Sequence, residues 1–424
     1  MNTSDLARLN HVLIPQTKFE RDRYRRGRLA RLFRPLATLV SRLSREGRGL
    51  LTLVCATAVF CVDLGRTQSH VLVFATASLL AAAIFFTEPY RLKGVTVRLS
   101  APRRVTVGDE INIAVSLRNE TDKDHFAIRV EPPFLPWDGT WSELPNPIAK
   151  LAARTRGTAV ARARFVARGE HHLDPFRVAA LLPLGLSQGP RISTDGTRFV
   201  VVPKVARVLS VTTPGNRRYQ PGGVANASHT GDATDLLGIR PYRPGDPVRD
   251  LHARSWARVG EPMVREYQEE YFTRIGVVVD TDADAASPAH LEAALSLAAG
   301  VVARLCCGEA LVEILVAGKR MEKLSLGRSL GSLDQALDML ATVRSRPGFT
   351  AESVLAILGP ELERLSSVVF IALAADAVRD SIASAIRSRG IGCLMLVVGD
   401  RVSRTAHATT VPLDAIVKGE ELSL

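Results

Sequence analysis

Residues 231–270 read GDATDLLGIRPYRPGDPVRDLHARSWARVGEPMVREYQEE, and this block separates a region of alternating residues from one in which strands and helices take turns. It holds six arginines, eight carboxylates and no lysine. Arginine at every basic position points to planar, two-pronged pairing with carboxylates, because a guanidinium offers a fixed fork of donors where an ammonium is a mobile point charge. Arg243-Pro244-Gly245-Asp246 has the residue types of a type II turn, since proline presets φ and glycine accepts positive φ. Asp246 suits an N-cap and Pro247 the first helical position, which predicts a short helix to about Arg258 that stops near Gly260. On that helix Val248, Leu251, His252 and Ser255 share a face, and Asp250 and Arg254 have the spacing of an ion pair. Met263 to Gln268 alternates as a strand.

Downstream, from Arg274, RIGVVVD is a continuous apolar strand, followed by helix Pro288 to Cys306, strand ALVEILVAG and helix LGSLDQALDMLATV. A helix from Thr350 to Leu365, strand SSVVFIALA, helix Asp376 to Ser388 and strand IGCLMLVVG complete the series. Uninterrupted apolar strands between amphipathic helices predict a doubly wound α/β domain over 272–424, its parallel sheet covered on both faces. Ligands of such sheets bind beyond the carboxyl ends of the strands. Asp280 and Asp376 end two strands there.

Upstream, over 93–205, the period falls to two: VTVRLS, INIAVSLRN, FAIRVE, AVARARFVA and RFVVVP alternate between turn residues, the pattern of a β-sandwich-like domain. Gly185-Leu186-Ser187-Gln188-Gly189 matches the nucleophile-elbow pattern, but Pro190 follows where the elbow needs a helix, so Ser187 reads as a turn residue.

Residues 1–48 contain twelve Lys and Arg against four acids, a net of +8 within a chain total of +12, so the basic character is local. Behind them stand two uncharged apolar runs, Leu50 to Val62 and Val71 to Thr87. Together they predict a two-helix transmembrane hairpin over 49–88, each run being short for a span. Flanking charge places both termini and the soluble domains in the cytoplasm, at the inner (plasma) membrane. The arginines of Arg21 to Arg34 then serve anionic lipid rather than nucleic acid. The five cysteines show no CxxC or His-paired spacing, which fits core filling in a reducing interior. The overall expectation is an α+β multidomain chain, with residues 206–271 forming a separate Arg/Asp-rich segment.

The block at 238–270 resembles the signature of the bacterial family called domain of unknown function 58. Arg240, Tyr242, Pro244, Gly245, Asp246, Arg249, Ala257, Arg258, Val264 and Glu266 fall on its pattern. Ala253 stands where the family has Trp and Arg254 where it has Lys, with Trp256 a candidate to replace the missing indole. The run RGEHHLDPFRVAALLPLGLSQ also resembles that family, with Leu182 in place of its Asp. The C-terminal domain resembles a von Willebrand factor A domain. That resemblance implies an adhesion-type metal site at Asp280, Asp282, Asp284, Thr350 and Asp376, with aspartates where the family has serines, and hard oxygen ligands suited to Mg²⁺ or Ca²⁺. A solvated, degenerate loop is the competing reading of the same residues.

The two resemblances imply a membrane-anchored, non-enzymatic adaptor that works with a MoxR-type AAA+ ATPase. Its interaction residues would be Arg240, Tyr242, Pro244, Gly245, Asp246, Arg249, Arg254, Arg258 and Glu266. The alternative is a metal-dependent hydrolase built on Asp280 to Asp284. It lacks a well-placed general base, because His252, with Asp250 and Ser255 nearby, has the spacing of one helix face rather than of a triad.

Overall fold

The computed structural model describes residues 40, 42–60, 67–214, 236–267, 274–282, 284–307, 311–316, 322–326, 330–345, 347, 350–399 and 408–424. The chain divides into two compact units, residues 1–202 and 203–424. The arginine-rich stretch 21–34 and the link at 61–66 lie outside the described residues.

The first unit begins with helices α1 (Arg45–Phe60) and α2 (Thr67–Phe85), which pack on each other. Eleven described strands follow: β1 (Val95–Ser100), β2 (Arg104–Thr106), β3 (Glu110–Asn119), β4 (His125–Glu131), β5 (Gly139–Glu143), β6 (Ile148–Leu151), β7 (Arg156–Phe165), β8 (Gly169–Leu173), β9 (Arg177–Ala180), β10 (Ile192–Ser193) and β11 (Thr197–Val202). They pair as β1-β3-β7-β5, β10-β9-β4-β6 and β2-β11-β8. Successive strand residues point to opposite faces, so β3 turns Ile111, Ile113, Val115 and Leu117 inward, while β7 turns in Ala159, Ala161, Ala163 and Phe165. The register sets Ile113 against Ala161 and Val115 against Ala159, large beside small. Phe176, Val178 and Phe199 fill the same core.

The fold class read from the sequence is corrected at its N-terminal end. The chain mixes α and β, but no N-terminal transmembrane hairpin stands among the described residues. A spanning helix needs about 20 apolar residues. α1 has 16 residues and opens with Arg45, Glu46 and Arg48, and the apolar part of α2 runs only from His70 to Phe85. Among the described residues one helix is long and apolar enough to cross a membrane, Pro288–Cys306. Its Leu291, Leu295, Leu297, Val301 and Val302 are buried in the core of the second unit, so its hydropathy belongs to that core.

The second unit opens with β12 (Val208–Ser210), then β13 (Leu236–Pro241), α3 (Ala253–Val259) and β14 (Met263–Tyr267). The main sheet and its helices follow as β15 (Arg274–Val279), α4 (Pro288–Cys306), β16 (Leu311–Val316), β17 (Glu322–Leu326), α5 (Leu330–Thr342), α6 (Ala351–Leu362), β18 (Ser367–Ala372), α7 (Ala377–Ser388), β19 (Gly392–Val398), β20 (Ala408–Val411), α8 (Leu413–Lys418) and β21 (Leu422–Ser423). Strand order is β17-β16-β15-β18-β19-β20, parallel except for β17. Both faces are covered. Val277 and Val279 of β15 join the core formed with α4, α5 and α8, and Val278 joins that formed with α6 and α7. This two-sided burial explains why the strands read as unbroken apolar runs.

Candidate functional site

The chain leaves β15 in one direction across the sheet, through β16 and β17, and in the other through β18, β19 and β20. The topological switch therefore lies between the carboxyl ends of β15 and β18, where ligands of doubly wound sheets bind. Asp280 follows β15 and Asp376 precedes α7. Between them sits the guanidinium of Arg379, 3% exposed. Its Nε donates to Asp280 Oδ2 at 3.0 Å, its Nη2 to Asp282 Oδ2 at 2.7 Å and its Nη1 to Asp376 Oδ2 at 2.6 Å. The backbone completes the cluster. Asp280 accepts from the amides of Asp282 and Leu373, Asp282 from the amide of Asp284, and Asp376 caps α7 by accepting from Arg379 N at 2.9 Å. Burial disfavours the Arg379 cation, but hydrogen bonding to Asp280 and Asp282 outweighs it and raises the arginine pKa above its ordinary value.

The five residues proposed from the resemblance to an adhesion site therefore divide. Asp280, Asp282 and Asp376 come together, around an internal cation. Asp284 is exposed, and Thr350 is the N-cap of α6, its hydroxyl engaged with Ser353. These residues do not fit Mg²⁺ or Ca²⁺ as the sequence stands, because one oxygen of each of the three clustered carboxylates is already taken by Arg379. No group of three or more His, Cys, Asp and Glu among the described residues is arranged to hold a metal ion.

The arginine-rich segment forms a module of its own. β13 and β14 pair antiparallel, with Arg240 opposite Val264 and Glu266 opposite Gly238. Arg240 forks onto Asp246 with bonds of 2.7 and 2.8 Å, and Arg243 N donates to Asp246 Oδ2 at 2.8 Å. The Pro244-Gly245 turn closes through Asp246 N to Arg243 O at 3.0 Å, with Gly245 at φ 106°, a conformation that favours glycine. The Arg240 hydrogen bonds hold the Asp246 carboxyl down at about 2. Tyr242 N donates to Pro262 O, so the β13–β14 pairing continues one residue past Pro241 and Met263, toward the Pro244-Gly245 turn.

The predicted single helix from Asp246 to Arg258 is instead two pieces. A 3-10 turn covers Val248–Asp250, Leu251 turns extended and bridges Val264, and α3 begins at Ala253. The reason is tertiary. Pairing of Leu251 with buried Val264, and His252 N with Met263 O, outcompetes continuation of the helix. The break also changes the ion pairs, since Arg249 lies 3.9 Å from Asp250 while Arg254 has no carboxylate partner among the described residues. His252 caps α3 by accepting from Ser255 N through Nδ1, with Ser255 Oγ 2.7 Å from the same nitrogen. That is a capping role. Trp256 is 42% exposed and does not fill the place of a buried indole.

In the first unit, Ser187 is fully buried and donates to the carbonyl of Ala83 at 2.6 Å. The loop that carries it grips the ends of both helices. Ser44 N donates to Leu186 O, Gln188 N to Arg42 O, and a Cβ on Gly47 would meet Leu186 O at 1.9 Å. Arg129 forks onto Glu46 at 2.9 and 3.0 Å, which holds the Glu46 carboxyl at about 2. The GxSxG run is thus a clasp for α1 and α2.

Sequence reading missed Arg379. The available signal was Asp376-x-x-Arg379 at the start of an amphipathic helix, where an N-cap and the residue three places on face each other.

No protein-family model matches the chain, and no curated protein matches it. Solved structures give weak likenesses. Native alpha-2-macroglobulin from Escherichia coli, from domain MG7 to the C-terminus, is 15% identical at a TM-score of 0.20 over 30% of this chain and 21% of that one. Proximal thread matrix protein 1 from the mussel byssus is 16% identical at 0.27 over 35% and 43%. A GH20 exo beta-N-acetylglucosaminidase from Vibrio harveyi is 11% identical at 0.18 over 68% and 59%. The chain spans less than half the length of the first two, and none of these likenesses supports an argument about fold or function.

Proposed function

We propose that the chain is a non-enzymatic interaction protein, an adaptor for an AAA+ ATPase of the MoxR type, held at the cytoplasmic face of the inner membrane. The observation that carries this reading is the module at 236–267. It is braced by Arg240 and Asp246, yet leaves Tyr242, Val248, Trp256 and Val259 exposed with Arg249, Arg254 and Arg258. Rigid scaffolds that present aromatic residues and arginines are the usual composition of binding hot spots. The resemblance of this segment to the domain of unknown function 58 signature, and of the α/β domain to a von Willebrand factor A domain, supports the choice of partner. The Arg379 cluster speaks against chemistry at the switch point, because an internal cation uses the carboxylates that a hydrolase would need. The basic residues of 1–48 support contact with anionic lipid.

Affinity capture of the full chain from detergent-solubilised cells tests the reading. The expected result is enrichment of an AAA+ ATPase under nucleotide-trapped conditions, with yield falling on Arg249→Ala or Arg258→Ala. Recovery of no ATPase removes the adaptor. A chain recovered wholly in the soluble fraction without detergent removes the membrane location.

A further inference from the structure

We propose that the outer face of strands β1, β3 and β7 is a docking surface for the phosphate headgroups of an anionic lipid membrane, with Arg98, Arg118 and Arg156 as its charged contacts. The proposal rests on the membrane location given above and names which part of the folded chain meets the lipid.

Strand register builds this face. Thr96 lies opposite Arg118 and Arg118 opposite Arg156, while two residues along the strands Arg98 lies opposite Ser116 and Ser116 opposite Thr158. Val97 and Leu117, in the row between, turn the other way and belong to the core. The six outward positions therefore form a grid, its strands about 4.8 Å apart and its rows about 7 Å apart. It holds three guanidiniums, three hydroxyls and no carboxylate. Ser116 is half-buried and the other five are exposed. None of the three arginines has a carboxylate partner among the described residues, whereas Arg162 and Arg164, farther along β7, pair with Glu143 at 3.1 Å and Glu110 at 3.8 Å. Glu120 follows β3 at the rim, beside the Arg154–Asp122 pair, so one acid stands against three bases.

The placement of Arg118 across from Arg156 works against folding, because like charges directly opposite on two strands repel. A layer of anions above the face removes that repulsion. The character of the face selects the layer. No aromatic side chain stands in the grid to stack a nucleic-acid base, and no large apolar side chain is there to anchor a protein partner; Val160, in the next row of β7, is the nearest at 40% exposed. Three paired strands offer their donors from one open surface, which suits a plane of headgroups.

Cosedimentation of the full-length chain with vesicles of phosphatidylcholine, alone or mixed with an equal part of phosphatidylglycerol, tests this at low ionic strength. The chain should bind only the anionic vesicles. A basic side chain near such a surface is worth about fivefold in affinity, so Arg118→Gln with Arg156→Gln should weaken binding about thirtyfold. Arg103→Gln with Arg198→Gln removes the same charge from exposed positions off this face, and should weaken binding less than about threefold. Without lipid, the Arg118 and Arg156 double variant should melt no lower than the wild type, since it removes the opposed charges. Equal losses for the two double variants overturn the proposal, as do an unchanged affinity of the first and a wild type that ignores anionic vesicles. A lower melting temperature of the first also overturns it, because the repulsion would then be absent. Binding of RNA or inorganic phosphate through these arginines by a chain that ignores vesicles overturns the lipid. Vesicle binding by a chain that is wholly soluble in cells keeps this face and removes the inner-membrane location. A chain held at the membrane in cells whose purified form ignores vesicles does the reverse.

Discussion

Arg379→Ala takes the guanidinium from between Asp280, Asp282 and Asp376. Asp280 is fully buried and the Asp282 side chain is 9% exposed, so two carboxylates lose their cation in a place where water compensates poorly. Stranding one side of a buried pair costs about 3–5 kcal/mol, a large part of the roughly 5–15 kcal/mol that holds an ordinary domain folded. Asp376, 40% exposed, contributes less because solvent reaches it. Arg379→Lys keeps the charge but loses the fork that reaches three carboxylates, and should fall between the wild type and alanine. With the guanidinium gone, the same oxygens suit a hard cation, and Mg²⁺ at 100 times its Kd would return about 2.7 kcal/mol. Chemical denaturation with and without Mg²⁺, followed by hydrogen exchange at β15 and β18, reads the unit concerned. A loss below about 1 kcal/mol in Arg379→Ala refutes the bracing role. A wild-type chain that gains as much from Mg²⁺ as the alanine variant refutes the view that the arginine occupies the cation's place.

The clasp on α1 and α2 predicts that Gly47→Ala forces the helix off Leu186 O and costs about 1–3 kcal/mol, seen as faster exchange at residues 182–189. Ser187→Ala leaves the Ala83 carbonyl without its donor and should cost about 1–3 kcal/mol by denaturation; unchanged stability would contradict the pinning role. His171 lies between Gly169 O at 3.0 Å and Asp138 Oδ2 at 2.6 Å, and both contacts ask its ring nitrogens to donate. Burial opposes the imidazolium, but hydrogen bonding to Asp138 and the Gly169 carbonyl raises its pKa above 6.5. A raised folded pKa means that its stabilisation is complete below pH 6.5 and is lost as pH climbs through the folded value. Melting temperature against pH should show that decline, and His171→Gln should flatten it. Asp246 has the opposite sign, because its folded pKa of about 2 lies below the unfolded 3.8, so its support is present above pH 3.8 and disappears as pH falls toward 2. Proteolysis of the 236–267 module should accelerate over that interval, and in Asp246→Asn the acid step should vanish.

The sequence by itself determined local structure wherever one physical rule acts alone. Alternation in INIAVSLRN and ARARF determined which side chains of β3 and β7 face inward, and Pro244-Gly245 determined a turn that requires positive φ. The unbroken run RIGVVV required a strand buried on both sides. Tertiary structure decided everything that depends on which distant groups share a space. Hydropathy alone favoured the runs near residues 50–87 as spans, and cannot distinguish lipid from a protein interior; α1 carries charges in its first turn and the apolar part of α2 runs only from His70 to Phe85, while α4, long and apolar enough to span, is buried by a sheet. Continuation of the helix past Asp250 was lost to pairing of Leu251 with Val264. An aspartate cluster at a strand end carries no local record of the cation that neutralises it, because Arg379 is 99 residues from Asp280 along the chain and reaches it only after β18 lies beside β15. The carboxylates were in the sequence, but their partner was chosen by the order of the strands.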